Sequence, residues 1–449
     1  MRDFRFGRPI YHALVAATLA AAVLGAPGCR GRARPTRVVL VTLDTLRYDT
    51  LWGAPDRPSA MPLTRARAVR GLAFDRFFSS TSSTQPTHAS LFTGLHPWQH
   101  GVSRNGLTLG PERETVAEVL RRAGFATAAV VASFPVARRF GFGQGFDVYD
   151  DALTEGQLAP AWEGLGDPEE RYYRLAERVT AAALARIDAG RGERQFYWFH
   201  YFDPHGPYGD TVPGPRLRPQ DLLRQAREGH DVRGEVARAR ALYDADARSL
   251  DQWLEHLFRR LDRDADAFVT HVVVTSDHGE SFGEDGSLAH GRRLTAGQIH
   301  VPFFIVSPRV PAAVRSDVAG SVDVPATLYA LAGLGETAPG GRDLLVPVKG
   351  GRAFGMRRRF GPQQTEVRLD GREHALDFDL FYAVGADGRI HAGNGSGLRP
   401  EEAGGDAGAA AEPLQTLFGA FERELAGAEP PAERDPEVER ALRALGYVG

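Results

Sequence analysis

Cysteine is almost missing: the 449-residue chain has one, Cys29, which excludes an intrachain disulfide and a cysteine-based zinc site. An excess of either charge is missing too. A formal net charge of −3 leaves no basic field for nucleic acid and no acidic tail. Arginine outnumbers lysine heavily, which reads as genomic base composition and not as a binding surface. No long apolar run is present, since the one from Ala13 to Ala26 is too short for a comfortable membrane span. No internal repeat is visible. What remains is ordinary, with 43% hydrophobic and 25% charged residues. A chain of this length can bury one large core, or one core and a smaller appendage.

The position of Cys29 explains it. Arg2, Arg5 and Arg8 precede the apolar run, and Gly28-Cys29 follows it, in the order of a secretory signal. A cysteine just past such a segment resembles a bacterial lipoprotein site, where the chain is cut before the cysteine and the thiol is acylated. Pro27 departs from the small residue usual there, and a plain signal peptide with an incidental cysteine is the alternative. Residues 1–29 are thus expected to be a lipoprotein-type signal. The mature chain is expected in the periplasm or on the outer surface of a bacterial envelope, touching the membrane only through a lipid on Cys29.

Four nearly continuous apolar runs, Arg37 to Leu43, Ala126 to Ala132, Phe196 to Phe202 and Val269 to Thr275, read as strands buried on both faces. A fifth, Phe303 to Val306, follows Pro302. Helical patterns lie between them, at Thr115 to Ala123, Tyr172 to Ile187 and Val236 to Leu261. This alternation predicts an α/β domain with a mostly parallel sheet between helices over residues 30–340. Residues 341–449, with shorter strand-like pieces such as Phe378 to Val384, a Gly/Ala/Glu-rich stretch and two terminal helices, read as a smaller α+β subdomain.

Ligand sites in open α/β sheets lie beyond the carboxyl ends of the strands, and the polar residues of interest cluster there. Asp44 follows the first run. Thr275-Ser276-Asp277-His278-Gly279-Glu280 ends the fourth, and His200, Asp203 and His205 end the third; His290 comes twelve residues after His278. Carboxylates and imidazoles so grouped suit a divalent metal. In Ser83-Thr84-Gln85-Pro86-Thr87-His88, the proline suits the first turn of a helix, which puts Thr84 at or beside the N-cap. There its side chain either caps the helix or shares a helix end suited to an anion.

These segments recur in a known order. The strand ending Leu43-Asp44-Thr45-Leu46-Arg47, the Pro86-to-Gly94 segment, Gly101-Val102-Ser103-Arg104-Asn105-Gly106 and Phe202-Asp203-Pro204-His205 come first. Ser276-Asp277-His278-Gly279-Glu280, Ile299-His300-Val301-Pro302 and Asp323-Val324-Pro325-Ala326-Thr327-Leu328 follow. Together they resemble the sulfatase family of the alkaline phosphatase superfamily, from about Arg37 to Gly341. The resemblance implies a mainly parallel sheet between helices with a smaller C-terminal sheet. It also implies a nucleophile at Thr84, where true sulfatases carry a Cys or Ser oxidised to formylglycine. Oxidation of threonine would give a ketone and never the aldehyde. Other departures are His88 in place of the family's arginine, Thr45 and His278 in its acidic and Asp-Asn pairs, and Ala132-Ser133 where a lysine is expected.

The resemblance then points to the superfamily's threonine-dependent phosphoesterases and phosphoethanolamine transferases. It implies a divalent ion (zinc or manganese, with calcium as a third possibility) held by Asp44, Thr84, Asp277 and His278. Thr84 is the expected nucleophile of a covalent ester, with His88 and His205 as further catalytic residues. Asp203, His290 and Arg104 are expected at a second ion or at the substrate. The substrate class is an anionic phosphate or sulfate ester. An envelope transferase, a formylglycine-independent sulfatase and a catalytically silent binding protein are the alternatives.

Overall fold

The computed structural model describes residues 34–153, 172–190 and 194–348, and beyond them 351–359, 365–376, 379–385, 388–394, 397–398, 419 and 436–444. The expected signal and the anchor at Cys29 lie outside the described residues, as does the Gly/Ala/Glu-rich stretch. Among the described residues no helix is long and apolar enough to cross a membrane.

The five apolar runs between Arg37 and Val306 each form a buried strand. β1 (Thr36–Leu43), β2 (Leu72–Phe74), β3 (Ala126–Val130), β4 (Val148–Asp150), β5 (Gln195–Tyr201), β6 (Val269–Ser276), β7 (Phe303–Val306) and β8 (Ala313–Arg315) make one sheet in the order β8-β2-β7-β6-β1-β5-β3-β4. β1 lies at its centre, parallel to β5 and β6, with Val38, Val39, Leu40, Val41 and Leu43 fully buried. That burial on both faces is why the run is continuous and not alternating. β7 is antiparallel to both β6 and β2. The chain between β6 and β7 holds only a short hairpin (Ser281–Phe282 with Leu288–Ala289) and a four-residue helix (Ala296–Ile299), too little for a crossover back to a parallel strand.

The three helical patterns of the sequence all form helices, and others join them. The main ones are α1 (Thr84–Thr93), α2 (Val116–Arg122), α3 (Ala176–Ala189), α4 (Arg233–Arg263) and α5 (Val324–Leu331). α2 starts at a reciprocal cap, with Thr115 N–H donating to Glu118 Oε2 at 2.8 Å and Glu118 N–H donating to Thr115 Oγ1 at 3.3 Å. α3 begins at Ala176 and not at Tyr172, because Tyr173 is bridged to Ser133.

Four antiparallel strands follow, β9 (Ala353–Arg357), β10 (Leu380–Val384), β11 (Ile390–Asn394) and β12 (Gly397–Leu398), in sequential order. Of the terminal helices, Pro436–Ala444 is described. The small sheet forms a separate core, its Ala353, Leu380 and Tyr382 packing with Phe78, Ile299 and Val318. It also grips the chain leading into α1. Met356 N–H donates to Ser80 O at 3.0 Å, and Tyr382 Oη donates to Ser79 O. Gly355 makes this approach possible, since a Cβ there would lie 2.0 Å from Ser80 O. Gly355→Ala is therefore expected to lower stability by about 1–3 kcal/mol. Because Ser80 leads to Thr84, it is also expected to lower turnover at temperatures where the fold survives; thermal melts alongside ester turnover check both.

Candidate active site

Register brings the two acidic strand ends together. β1 and β6 run parallel with Leu43 opposite Ser276, so the next residues, Asp44 and Asp277, leave the sheet side by side. Both are fully buried. Asp277 Oδ1 accepts the N–H of Thr45 at 3.1 Å and of His278 at 2.8 Å. Asp277 Oδ2 and both oxygens of Asp44 have no hydrogen-bond partner of normal geometry among the described residues. His278 donates Nδ1–H to Gly279 O at 3.0 Å, which leaves the lone pair on Nε2. That nitrogen lies 3.5 Å from Asp277 Oδ2, 3.7 Å from Asp44 Oδ1 and 3.3 Å from Thr84 Oγ1.

Ligand atoms of Asp44, Asp277 and His278 thus fall within 4.8 Å of one another. Orphaned carboxylate oxygens in a buried site are costly, and a divalent cation would satisfy three of them at once. The mix of oxygen and imidazole donors suits zinc or manganese. Without a cation, burial pushes the Asp277 carboxyl up to about 6. Burial and the neighbouring Asp277 raise Asp44 well above the usual carboxylate range. Burial also keeps His278 neutral, the form that ligates.

The turn that carries this cluster is held under strain. Thr45 has φ 56°, a left-handed conformation that a β-branched residue rarely adopts. Four bonds enforce it: Thr45 N–H to Asp277, Leu46 N–H to Ser276 Oγ at 3.0 Å, Tyr243 Oη to Thr45 O at 2.9 Å, and Arg47 N–H to Tyr243 Oη at 2.9 Å. Strain of this kind costs on the order of 1–3 kcal/mol and gathers at functional sites.

Thr84 is the first residue of α1, with Ser83 at the N-cap, and every residue of that helix is buried. The helix end does not offer the anion cradle that its sequence suggests. Gln85 N–H is taken by Asn105 Oδ1 at 2.9 Å, Pro86 has none, and Thr87 N–H is turned to Ser83 O. His88, expected among the catalytic residues, is enclosed by protein. Trp198 Nε1–H donates to Thr42 Oγ1 at 2.9 Å, Thr42 Oγ1 faces His88 Nε2 at 3.1 Å, and His88 Nδ1 faces Thr84 O at 2.9 Å. This chain puts the proton on Nδ1 and uses both ring nitrogens.

A second layer surrounds the cluster. His290 packs on His278, with ring centroids 4.3 Å apart, and His205 packs on His290 at 5.0 Å. His205 donates Nδ1–H to Gly206 O at 2.6 Å and His290 donates to Glu280 Oε1 at 3.0 Å, so both keep their lone pairs on Nε2. Glu280 is fixed in turn by Tyr208 Oη at 2.8 Å, and burial raises its carboxyl to about 7. Burial lowers both imidazoles to about 3, for His205 with the help of His290 and for His290 with the help of Arg292. Asp203 is buried, and burial raises its carboxyl to about 8. It joins no three-ligand group among the described residues, so the expected second ion finds no such cluster at Asp203 and His290. Arg104 is half-buried beside Asn105, and burial lowers its pKa.

Two residues near the site stand outside the ligand and catalytic sets expected from the sequence, although His200 is grouped there with Asp203 and His205. His200, on β5, lies 3.5 Å from Asp44 Oδ2 through Nε2. Arg292 follows His290-Gly291 on a loop laid against the start of α1: Ser82 Oγ donates to Arg293 O at 2.7 Å, and a Cβ on Gly291 would lie 3.4 Å from Ser83 Oγ. Arg292 is half-buried and lowered by burial, and it makes no salt bridge among the described residues.

The family model described as Sulfatase matches residues 36–334. Among curated proteins, an extracellular sulfatase homologue from Caenorhabditis elegans is 24% identical over 334 residues, 62% of this chain and 44% of its own length. A choline-sulfatase from Rhizobium meliloti is 25% identical over 335 residues, 62% of this chain and 65% of its own. The chain spans less than two thirds of the length of either. Among solved structures, a phosphonate monoester hydrolase from Silicibacter pomeroyi superposes with a TM-score of 0.61 over 87% of this chain and 95% of that one, at 19% identity, a likeness of fold.

Proposed function

The chain belongs to the sulfatase family, and from that premise we propose that it is an exported, divalent-ion-dependent hydrolase that cleaves phosphate or sulfate esters through a covalent ester on Thr84. The observation that carries this reading is the 3.3 Å approach of Thr84 Oγ1 to His278 Nε2, which aims a hydroxyl at the buried Asp44–Asp277–His278 group. A threonine there cannot become formylglycine, so its own oxygen is the nucleophile. Export is favoured by the signal-like start of the sequence and by the extracellular relative. The phosphonate hydrolase of the same fold favours trying phosphorus esters beside sulfate esters.

A bound divalent ion lowers the pKa of a coordinated hydroxyl and neutralises charge on the ester oxygens. The chain's residues do the rest. Thr84 attacks phosphorus or sulfur in line as its hydroxyl proton is lost to water. The bond to the ester's alcohol oxygen breaks and the alcohol leaves with a proton from water, and a second water then cleaves the bond to Thr84 and restores its hydroxyl. His88 and Thr42 hold the carbonyl of Thr84 and thereby fix the turn from which the hydroxyl projects. His205 and His290 present lone pairs that accept hydrogen bonds from hydroxyls and take up a proton when an anion raises their pKa. Arg292 and Arg104 supply the positive charge that the family's arginine and lysine would have given. Arg292→Gln is expected to raise KM about ten- to a hundredfold, the worth of one charge-assisted hydrogen bond, with a smaller change in kcat; steady-state kinetics on a turned-over ester check it.

The test is a panel of aryl phosphate monoesters, diesters, phosphonate monoesters and sulfate esters. The signal-less chain is stripped of metal and reloaded with zinc, manganese or calcium. Turnover in this panel that requires the ion supports the proposal. Ion binding without turnover of any ester favours a silent binding protein, and turnover that needs no ion refutes the proposal.

A further inference from the structure

His200 has no part in the chemistry above, yet it is nearer to Asp44 than His278 is. It sits on β5 opposite Thr42 of β1, two residues before Asp44, and is fully buried. Its Nδ1 receives the N–H of Ala132 at 3.2 Å. A ring nitrogen that accepts an N–H carries the lone pair, so in the neutral ring the proton is on Nε2. Nε2 lies 3.5 Å from Asp44 Oδ2, and neither atom has a hydrogen-bond partner of normal geometry among the described residues. Asp44 Oδ1 faces the other way, 3.7 Å from His278 Nε2. The carboxylate is divided between a donor on one side and the ligand group on the other.

We propose that His200 is a positioning residue that donates Nε2–H to Asp44 Oδ2 and so commits Oδ1 to the divalent ion. This rests on Asp44 being an ion ligand. The same geometry rules His200 out as a ligand itself: coordination through Nε2 would need a proton on Nδ1, where it would meet the Ala132 N–H head-on. The proposal also accounts for a gap in the sequence. Ala132, whose amide fixes the ring, stands where the family has a lysine, and His200 brings a donor to that place from the neighbouring strand. Partners of this kind outside the ligand set orient the ligands, and their loss costs about ten- to a hundredfold in metal affinity.

Two measurements test it on the full signal-less chain. In metal-free protein labelled with 15N at histidine, the His200 signals are found by difference against His200→Phe and are expected to show the Nε2-protonated tautomer. In zinc and manganese titrations, His200→Phe is expected to bind about ten- to a hundredfold more weakly. His200→Gln, whose amide can donate to Oδ2, is expected to recover most of the loss, and its melting profile checks the fold. X-ray absorption is expected to count the same number of coordinating imidazoles in all three proteins. An Nδ1-protonated ring, unchanged affinity in His200→Phe, or one imidazole lost from the ion's shell would each overturn the proposal. Wild-type protein that binds no ion refutes the reading of Asp44 itself. A wild type that binds well beside an equally tight His200→Phe refutes only the role of His200.

Discussion

Thr84→Ala is expected to abolish ester turnover, with a loss on the order of 10⁴-fold or more, as when a nucleophile is removed from a unit that acts together. The fold is expected to survive, because Ser83 and not Thr84 occupies the N-cap of α1 and alanine suits the helix that follows. Thr84→Ser is expected to keep measurable activity, since it retains the oxygen and discards only the methyl group. The pair therefore separates a nucleophile from a spacer. Kinetics on the best ester of the panel, with mass spectrometry of acid-quenched wild type for a mass increment on the Thr84 peptide, give the answer. Activity in Thr84→Ala equal to wild type would mean that the covalent step uses another residue, or that none exists.

Asp277→Asn has the second large effect, and it is directed at the ion. The amide oxygen can still accept from Thr45 and His278, as Oδ1 does now, so the strained turn at Thr45 keeps its support. The other position becomes an NH2 group, which donates and cannot ligate. Ion affinity is expected to fall at least about a hundredfold, and turnover with it. The wild type also has a signature in pH. In ion-free protein Asp277 holds its proton up to about 6, and Asp44 is raised as well. An ion must displace those protons, so affinity should rise with pH through about 6, with proton release visible as a buffer-dependent heat in calorimetry. The same raised value means that the folded state binds this proton more tightly than the unfolded chain does. The contribution of Asp277 to ion-free stability is therefore full below about 4 and lost as pH rises through about 6; in Asp277→Asn that component of the melting profile should vanish. An affinity independent of pH would show that the carboxylates are not the ligands.

Much of this was legible in the sequence, and the residues say why. β1, β5 and β6 stand out because strands buried on both faces must be apolar at every position, and the rule for strand ends then points at Asp44 and Asp277. β2, β4 and β8, with three residues each, are too short for any periodicity to register. β7 was recognised as a strand, but its antiparallel direction depends on the lack of a crossover helix after His290. Thr84 was found by motif order. The enclosure of His88 could not be, because it depends on Thr42 from a strand far away in sequence. His200 is grouped in the sequence with Asp203 and His205, but nothing there separates a residue that positions a ligand from a ligand or from a hydrogen-bonded core residue. Arg292 is one arginine among very many, and only the docking of its loop against Ser82 and Ser83 singles it out.

The bond from Trp198 to Thr42 also gives the molecule a built-in optical probe. Its indole is fully buried, 5.5 Å between centroids from the ring of His88 and three hydrogen bonds from the carbonyl of Thr84. A change at the carbonyl of Thr84 can reach this indole through the chain of hydrogen bonds. Because the sequence holds five tryptophans, the Trp198 component of the intrinsic emission is read as the difference between wild type and Trp198→Phe.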